Sequence, residues 1–134
     1  MNIHNIKSIA IKFFAYFGIL FGILTISSGG LILFSEEKYR LAAGKYIPEI
    51  LWFNFLSGFL YLYVSSLILQ KNKNTVYSIK FLLFLIFMAV LYLGIHIISG
   101  GEYEKRTLIA MFFRFAFWSG MFFLVSSEKE YLYV

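Results

Sequence analysis

One arginine stands alone in an aromatic part of the sequence. Arg114 lies inside FFRFAF, residues 112–117, where its neighbours are phenylalanines and an alanine. A guanidinium keeps its proton in a protein, so an apolar run that contains one must give it water or a partner. The chemistry that such a cation offers is the binding of a small anion or an anionic headgroup.

Other polar residues fall at a similar depth in neighbouring apolar runs. His96 lies near the end of one run, and Glu49 and Asn54 lie near the start of another. The helical rise places Arg114 about 10 Å, His96 about 6 Å and Asn54 about 9 Å below the same rim. A nearby guanidinium would keep the imidazole of His96 neutral. We therefore expect a polar pocket that opens outward, with candidate ligand- or partner-binding residues His96, Arg114, Asn54, Glu49, Glu102, Glu104 and Trp118.

Structural interpretations of these residues stay open beside the functional one. Arg114 is also consistent with a side chain that snorkels to the rim, or with an oligomer contact. His96 is consistent with a bond to a backbone carbonyl, and Asn54 with a bridge between two helices. Glu102 and Glu104 could pair with Arg114 or Arg106, but exposed ion pairs contribute little stability.

Four apolar blocks must position these residues. Hydrophobic residues make up 60% of the 134-residue chain and charged residues only 14%, against about 25% charged in a soluble domain. The blocks cover about residues 13–34, 48–69, 77–98 and 107–125, and each approaches the roughly 20 residues that a membrane-spanning helix needs. Lipid leaves the edges of an open sheet unpaired, which favours helices. The sequence predicts one all-α membrane domain over residues 1–134, an antiparallel up-and-down bundle of four transmembrane helices.

Small residues repeat at helical spacing along the first block. They are Gly18, Gly22, Thr25 and Gly29, separated by four, three and four positions. The stripe begins with a GxxxG and predicts a groove that another helix can approach closely, within the bundle or from a second copy. The second block carries an interior stripe with one more packing glycine, and its members are Asn54, Gly58, Tyr61 and Ser65.

The distribution of basic residues predicts the orientation. With the N-terminus inside, six basic residues are cytoplasmic and five lie outside, which agrees with the positive-inside rule. The six are Lys7, Lys12, Lys71, Lys73, Lys80 and Lys129. The first block is longer than the roughly 7–15 apolar residues of a signal peptide, so we expect it to be retained. We expect a bacterial inner-membrane protein with both termini in the cytoplasm.

The remaining composition argues against several functions. The chain has no cysteine and no aspartate, and its two histidines, His4 and His96, fall on opposite sides of the predicted membrane. A metal site, a haem or another cofactor is therefore not expected, and the net charge of +5 suits anionic lipid rather than nucleic acid. We expect a non-enzymatic protein that binds a lipid headgroup, a small anion or a partner subunit. The alternative is an oligomeric transporter or channel in which Arg114 selects anions, and an enzyme ranks third.

Two stretches carry a family resemblance. YIPEILWFNFLSGFLYL, residues 46–62, and LGIHIISGGEYEKRTLIAMFFRFAFW, residues 93–118, resemble parts of a family of small bacterial four-span membrane proteins. The resemblance implies a four-helix span in a bacterial membrane. It assigns no activity, substrate or cofactor. Independently of it, the partners that we expect are membrane lipids and either a second copy in a homo-oligomer or a larger membrane complex.

Overall fold

The protein is described by a computed structural model that covers residues 3–128, without the side chain of His4. Residues 3–128 form five α-helices and no strand, which confirms the all-α prediction. The helices are α1 (Ile3–Phe34), α2 (Glu37–Ala43), α3 (Pro48–Gln70), α4 (Thr75–Ile98) and α5 (Lys105–Ser126). Lys129, which the orientation argument counted as cytoplasmic, lies outside the described residues.

Four of these helices, α1, α3, α4 and α5, are long and apolar enough to cross a membrane. They correspond to the four predicted blocks and support a multi-pass membrane protein. The main difference is at α1, whose 32 residues extend about 48 Å and so exceed a hydrocarbon core of about 30 Å. The short helix α2 was not predicted, because seven residues are too few to show a helical period.

Small residues bring α1 and α3 together. Gly22 of α1 faces Gly58 of α3, and a Cβ atom placed on Gly29 would lie 3.1 Å from the Cβ of Phe55. A later residue of α1 contacts an earlier residue of α3, since Gly22 faces Gly58 and Gly29 faces Phe55. These two helices therefore run in opposite directions. Close approach through glycine is the usual route to tight helix packing in lipid, where dispersion replaces the hydrophobic effect.

Two apolar clusters fill the interior at different levels. The first lies at the end that carries the α3–α4 turn and includes Ile11, Ala15, Ile68, Leu82 and Met121, all buried. The second joins α4 to α3 and α5 near the other end, and its members are Ile47, Ile50, Ala89, Leu93 and Met111. We call the end that carries α2 and residues 99–104 the α2 end. The polar side chains discussed below gather toward it.

Candidate functional site

A cavity of about 220 Å³ lies at the α2 end of the helices. Its walls come from α1, α3 and α5 and from the segment between α2 and α3. The polar residues that line it are Thr25, Ser28, Tyr46, Asn54, Glu104, Arg106, Thr107 and Arg114. Arg114 and Asn54, which the sequence placed at a similar depth, therefore share one cavity.

Arg114 lies nine residues after the start of α5, about 13.5 Å along the helix. Its Nε and Nη1 atoms are buried, and neither has a hydrogen-bond partner among residues 3–128. The guanidinium carbon lies 5.5 Å from the centre of the Phe21 ring, a cation–π contact worth about 0.5–2 kcal/mol. The Tyr61 side chain also interacts with it electrostatically. These contacts steady the side chain, while Nε and Nη1 make no hydrogen bond of regular geometry within residues 3–128.

Further buried polar atoms continue from the cavity toward the middle of the helices. They are Asn54 Oδ1, Tyr61 Oη, Ser65 Oγ and Trp118 Nε1, and none has a hydrogen-bond partner in the described part of the chain. A buried polar group without a partner costs about 1–3 kcal/mol, and native proteins usually satisfy such groups with water or ligand. We call Arg114 and these four residues the polar column. The buried polar atoms of the column's five side chains lie in one region, and together they mark the site more clearly than any single residue does.

Two charged side chains at the start of α5 contact the end of α2 and the residues that follow it. The Glu104 carboxylate accepts a hydrogen bond of 2.8 Å from the backbone N–H of Lys45. Arg106 donates through Nη2 to the carbonyl oxygens of Ala42 and Ala43, at 3.2 and 3.4 Å. A cation at a helix C-terminus satisfies carbonyls that have no partner within the helix. These bonds shape the mouth of the cavity.

Glu102 takes no part in the cavity wall. Its carboxylate lies 3.6 Å from the Lys45 ammonium, and the two side chains are 74% and 62% exposed. An ion pair so exposed contributes little to stability. The predicted alternative, in which Glu102 or Glu104 pairs with Arg114, does not occur in the structure, because their carboxylates are directed to Lys45.

His96 and Glu49 lie outside the cavity, although the sequence grouped them with Arg114. His96 donates from Nε2 to the carbonyl oxygen of Glu102 at 2.8 Å, so it braces the connection between α4 and α5. No residue of α4 is among those described as lining the cavity. Glu49 lies in a groove between α3 and α4 beside Tyr92. It is five residues from Asn54, which turns the two about 140° apart around the helix.

Trp118 sits behind the cavity and does not line it. It is fully buried and lies one helical turn beyond Arg114 in α5. Its ring centre is 5.4 Å from that of Tyr61 and 5.1 Å from that of Phe117. It acts as part of the packed floor below the guanidinium.

Several lining residues were missed by the sequence analysis. Ser28, Tyr46 and Thr107 were not among the predicted site residues, and Thr25 was assigned only to helix packing. Isolated hydroxyl residues in or beside an apolar run carry no spacing signal of their own. Only the packing of α1 against α3 and α5 brings them to one wall.

The charges that line the cavity favour an anion. They are two guanidinium groups and one carboxylate, a net charge of plus one. Within residues 3–128 no cluster of three or more acidic or histidine residues could hold a metal ion.

Comparison with family models, curated proteins and solved structures gives no match, so the four-span family resemblance remains an expectation.

Proposed function

We propose that this chain is a non-enzymatic, multi-pass membrane protein, an antiparallel bundle of four transmembrane helices, that binds an anion in the cavity at its α2 end. The anionic group is a phosphate ester or a carboxylate, either on a lipid or on a small solute. The observation that carries the proposal is the buried Arg114 guanidinium, whose Nε and Nη1 have no hydrogen-bond partner in the described chain.

The energetics favour a ligand over a bare cation at this position. A guanidinium near the middle of a membrane costs about 2.5–3.5 kcal/mol on insertion scales. An anion that accepts from its N–H groups would offset that cost, since charge-assisted hydrogen bonds are the strong ones and a low dielectric strengthens them. Glu104 does not fill this role: it leaves Arg114 Nε and Nη1 without a partner, and its Oε1 accepts from the Lys45 N–H at the cavity mouth.

The size of the cavity limits the ligand. A volume of about 220 Å³ is below the roughly 300–1,000 Å³ of pockets that enclose drug-sized molecules. It suits one headgroup or one small anion. Hydroxyl groups of Thr25 and Ser28 on one wall and the Asn54 amide on another supply further hydrogen-bonding groups.

We propose a bacterial inner-membrane location with both termini in the cytoplasm, which puts the cavity on the outer side. The basic residues of the whole sequence support this orientation by a margin of one, six against five, in keeping with the positive-inside rule. Lys7, Lys71 and Lys73 lie at the end opposite α2. Lys7 donates a hydrogen bond of 3.4 Å to Ser127, which joins the two ends of the chain at that level.

An oligomeric transporter or channel is the second candidate, favoured by the polar column that leads inward from the cavity. The column stops at Ser65 and Trp118. Beyond it, the buried side chains of Ile11, Ile68 and Leu82 fill the interior. A single copy in this conformation is therefore sealed at the cytoplasmic end, which favours a binding protein over a conduit.

Thermal stability in detergent with added glycerol 3-phosphate tests the binding function. A ligand that binds only the folded state raises stability by about 2.7 kcal/mol at 100 times its Kd. We expect the wild type to be stabilised and Arg114→Gln to lose the effect. Arg40→Gln is the matched control, because Arg40 donates to the Ser35 carbonyl away from the cavity. Rapid anion flux through liposomes with no such stabilisation would favour the transporter instead.

A further inference from the structure

A second, open depression adjoins the cavity on its lipid-facing side. It measures about 590 Å³ and lies between α1 and α5. We call it the α1–α5 cleft. It shares with the cavity the residues Thr25, Ser28, Arg106, Ala110 and Arg114. Arg114 is therefore reached both from the α2 end and from the side.

The rest of the cleft wall is apolar and faces the surroundings. It consists of Phe21, Leu24, Ile109 and Phe113. Leu24 is 58% exposed and Ile109 69% exposed. In a membrane these side chains meet acyl chains, so the cleft joins a hydrocarbon surface to the side of a buried cation.

The cleft exists because α1 and α5 diverge toward the α2 end. The two helices touch at the opposite end, where the ring centres of Phe14 and Phe117 are 6.3 Å apart. The contact of Phe21 with Phe113, at 5.6 Å, is at the lower edge of the cleft. Above it, the cleft separates the two helices.

We infer that the anion is the headgroup of a singly charged phospholipid, which reaches Arg114 sideways through the α1–α5 cleft and leaves an acyl chain lying between α1 and α5. This inference rests on the proposed function and names its ligand. The polar lining receives the phosphodiester, and the apolar wall of Phe21, Leu24 and Ile109 receives the chain.

The charge of the lining selects among phospholipids. With a net charge of plus one on the lining residues, a phosphodiester with one negative charge brings the site to neutrality. A zwitterionic headgroup would add its own ammonium or choline cation beside Arg106 and Arg114, where like charges repel. Phosphatidylglycerol is thus favoured over phosphatidylcholine.

The cysteine-free sequence permits a direct test by single labelling. Ile109→Cys, modified with a bulky maleimide, blocks the cleft. Phe112→Cys with the same label is the matched control, because Phe112 is also on α5 and 56% exposed but lines neither the cavity nor the cleft. Binding is measured in detergent by fluorescence anisotropy of chain-labelled phosphatidylglycerol and phosphatidylcholine.

We expect the wild type and labelled Phe112→Cys to bind phosphatidylglycerol at least about tenfold more tightly than phosphatidylcholine, about 1.4 kcal/mol. Labelled Ile109→Cys should lose that preference while glycerol 3-phosphate still raises its thermal stability. Equal affinity for the two lipids, or an affinity unchanged by the label at residue 109, would overturn the lateral route and leave the anion site standing. A wild type that glycerol 3-phosphate does not stabilise would instead defeat the proposed function.

Discussion

Gly22 of α1 and Gly58 of α3 lie so close to each other that neither position has room for a side chain. A Cβ atom on Gly22 would lie 2.9 Å from the Gly58 carbonyl oxygen, and one on Gly58 would lie 3.0 Å from the Gly22 carbonyl oxygen. Because the obstacle is backbone on both sides, a side-chain rotation cannot relieve it. This contact fixes the separation of the two helices that carry Thr25 and Asn54 to the cavity.

Gly22→Ala should therefore destabilise the protein, although alanine is the better helix former. Forcing the helices apart costs about 1–3 kcal/mol. Gly94→Ala in α4 is the control, since a Cβ there meets nothing within 4 Å among the described residues; it should be neutral or slightly stabilising. Thermal unfolding in one detergent compares them, and equal midpoints for the two variants would refute the close contact.

Arg114→Leu should raise the stability of the unliganded protein. The change removes buried N–H groups that have no partner within residues 3–128, and each such group costs about 1–3 kcal/mol. Phe112→Leu, on the exposed side of the same helix, controls for the introduction of a leucine into α5. A lower unfolding midpoint for Arg114→Leu than for the control, measured without added ligand, would mean that the guanidinium holds the bundle together.

His96→Ala should affect the connection between α4 and α5 and spare the anion site. It removes the 2.8 Å hydrogen bond to the Glu102 carbonyl, worth about 1 kcal/mol. We expect faster hydrogen exchange in residues 99–104, with stabilisation by glycerol 3-phosphate unchanged. Loss of that stabilisation would mean that His96 belongs to the anion site, as the sequence analysis predicted.

Cysteine labelling in intact cells tests the proposed orientation. Glu102→Cys lies at the α2 end and Asn72→Cys in the turn between α3 and α4, and the wild type has no cysteine of its own. A membrane-impermeant maleimide should label the first position and reach the second only after the cells are opened. The reverse pattern would place the cavity in the cytoplasm.

The four long helices could be predicted because their signal is local. Length and apolar content alone mark residues 48–69 as a span, and α3 occupies Pro48–Gln70. The helical rise also puts Asn54 and Arg114 toward the same end, and both residues line one cavity. The predicted depth of about 10 Å for Arg114 was too small, because α5 begins at Lys105 and Arg114 lies about 13.5 Å along it.

The direction in which a side chain points across the bundle could be read only in part. The five-residue spacing turns Glu49 about 140° away from Asn54, but it does not say which of the two faces the cavity. His96 and Glu49 have suitable depths, yet they face the α4–α5 connection and the α3–α4 groove. That direction depends on how each helix is rotated against its neighbours, which is a property of contacts distant in sequence. The cleft between α1 and α5 is hidden for the same reason.

Native mass spectrometry of the protein purified from its own membrane tests the central claim most directly. The wild type and Arg114→Gln are compared in parallel, under conditions gentle enough to retain bound lipid. We predict a bound species with the mass of a singly charged phospholipid on the wild type and its loss from Arg114→Gln. The same bound lipid at equal occupancy on both proteins, or none on the wild type, would contradict the assignment of Arg114 as the anion-binding residue.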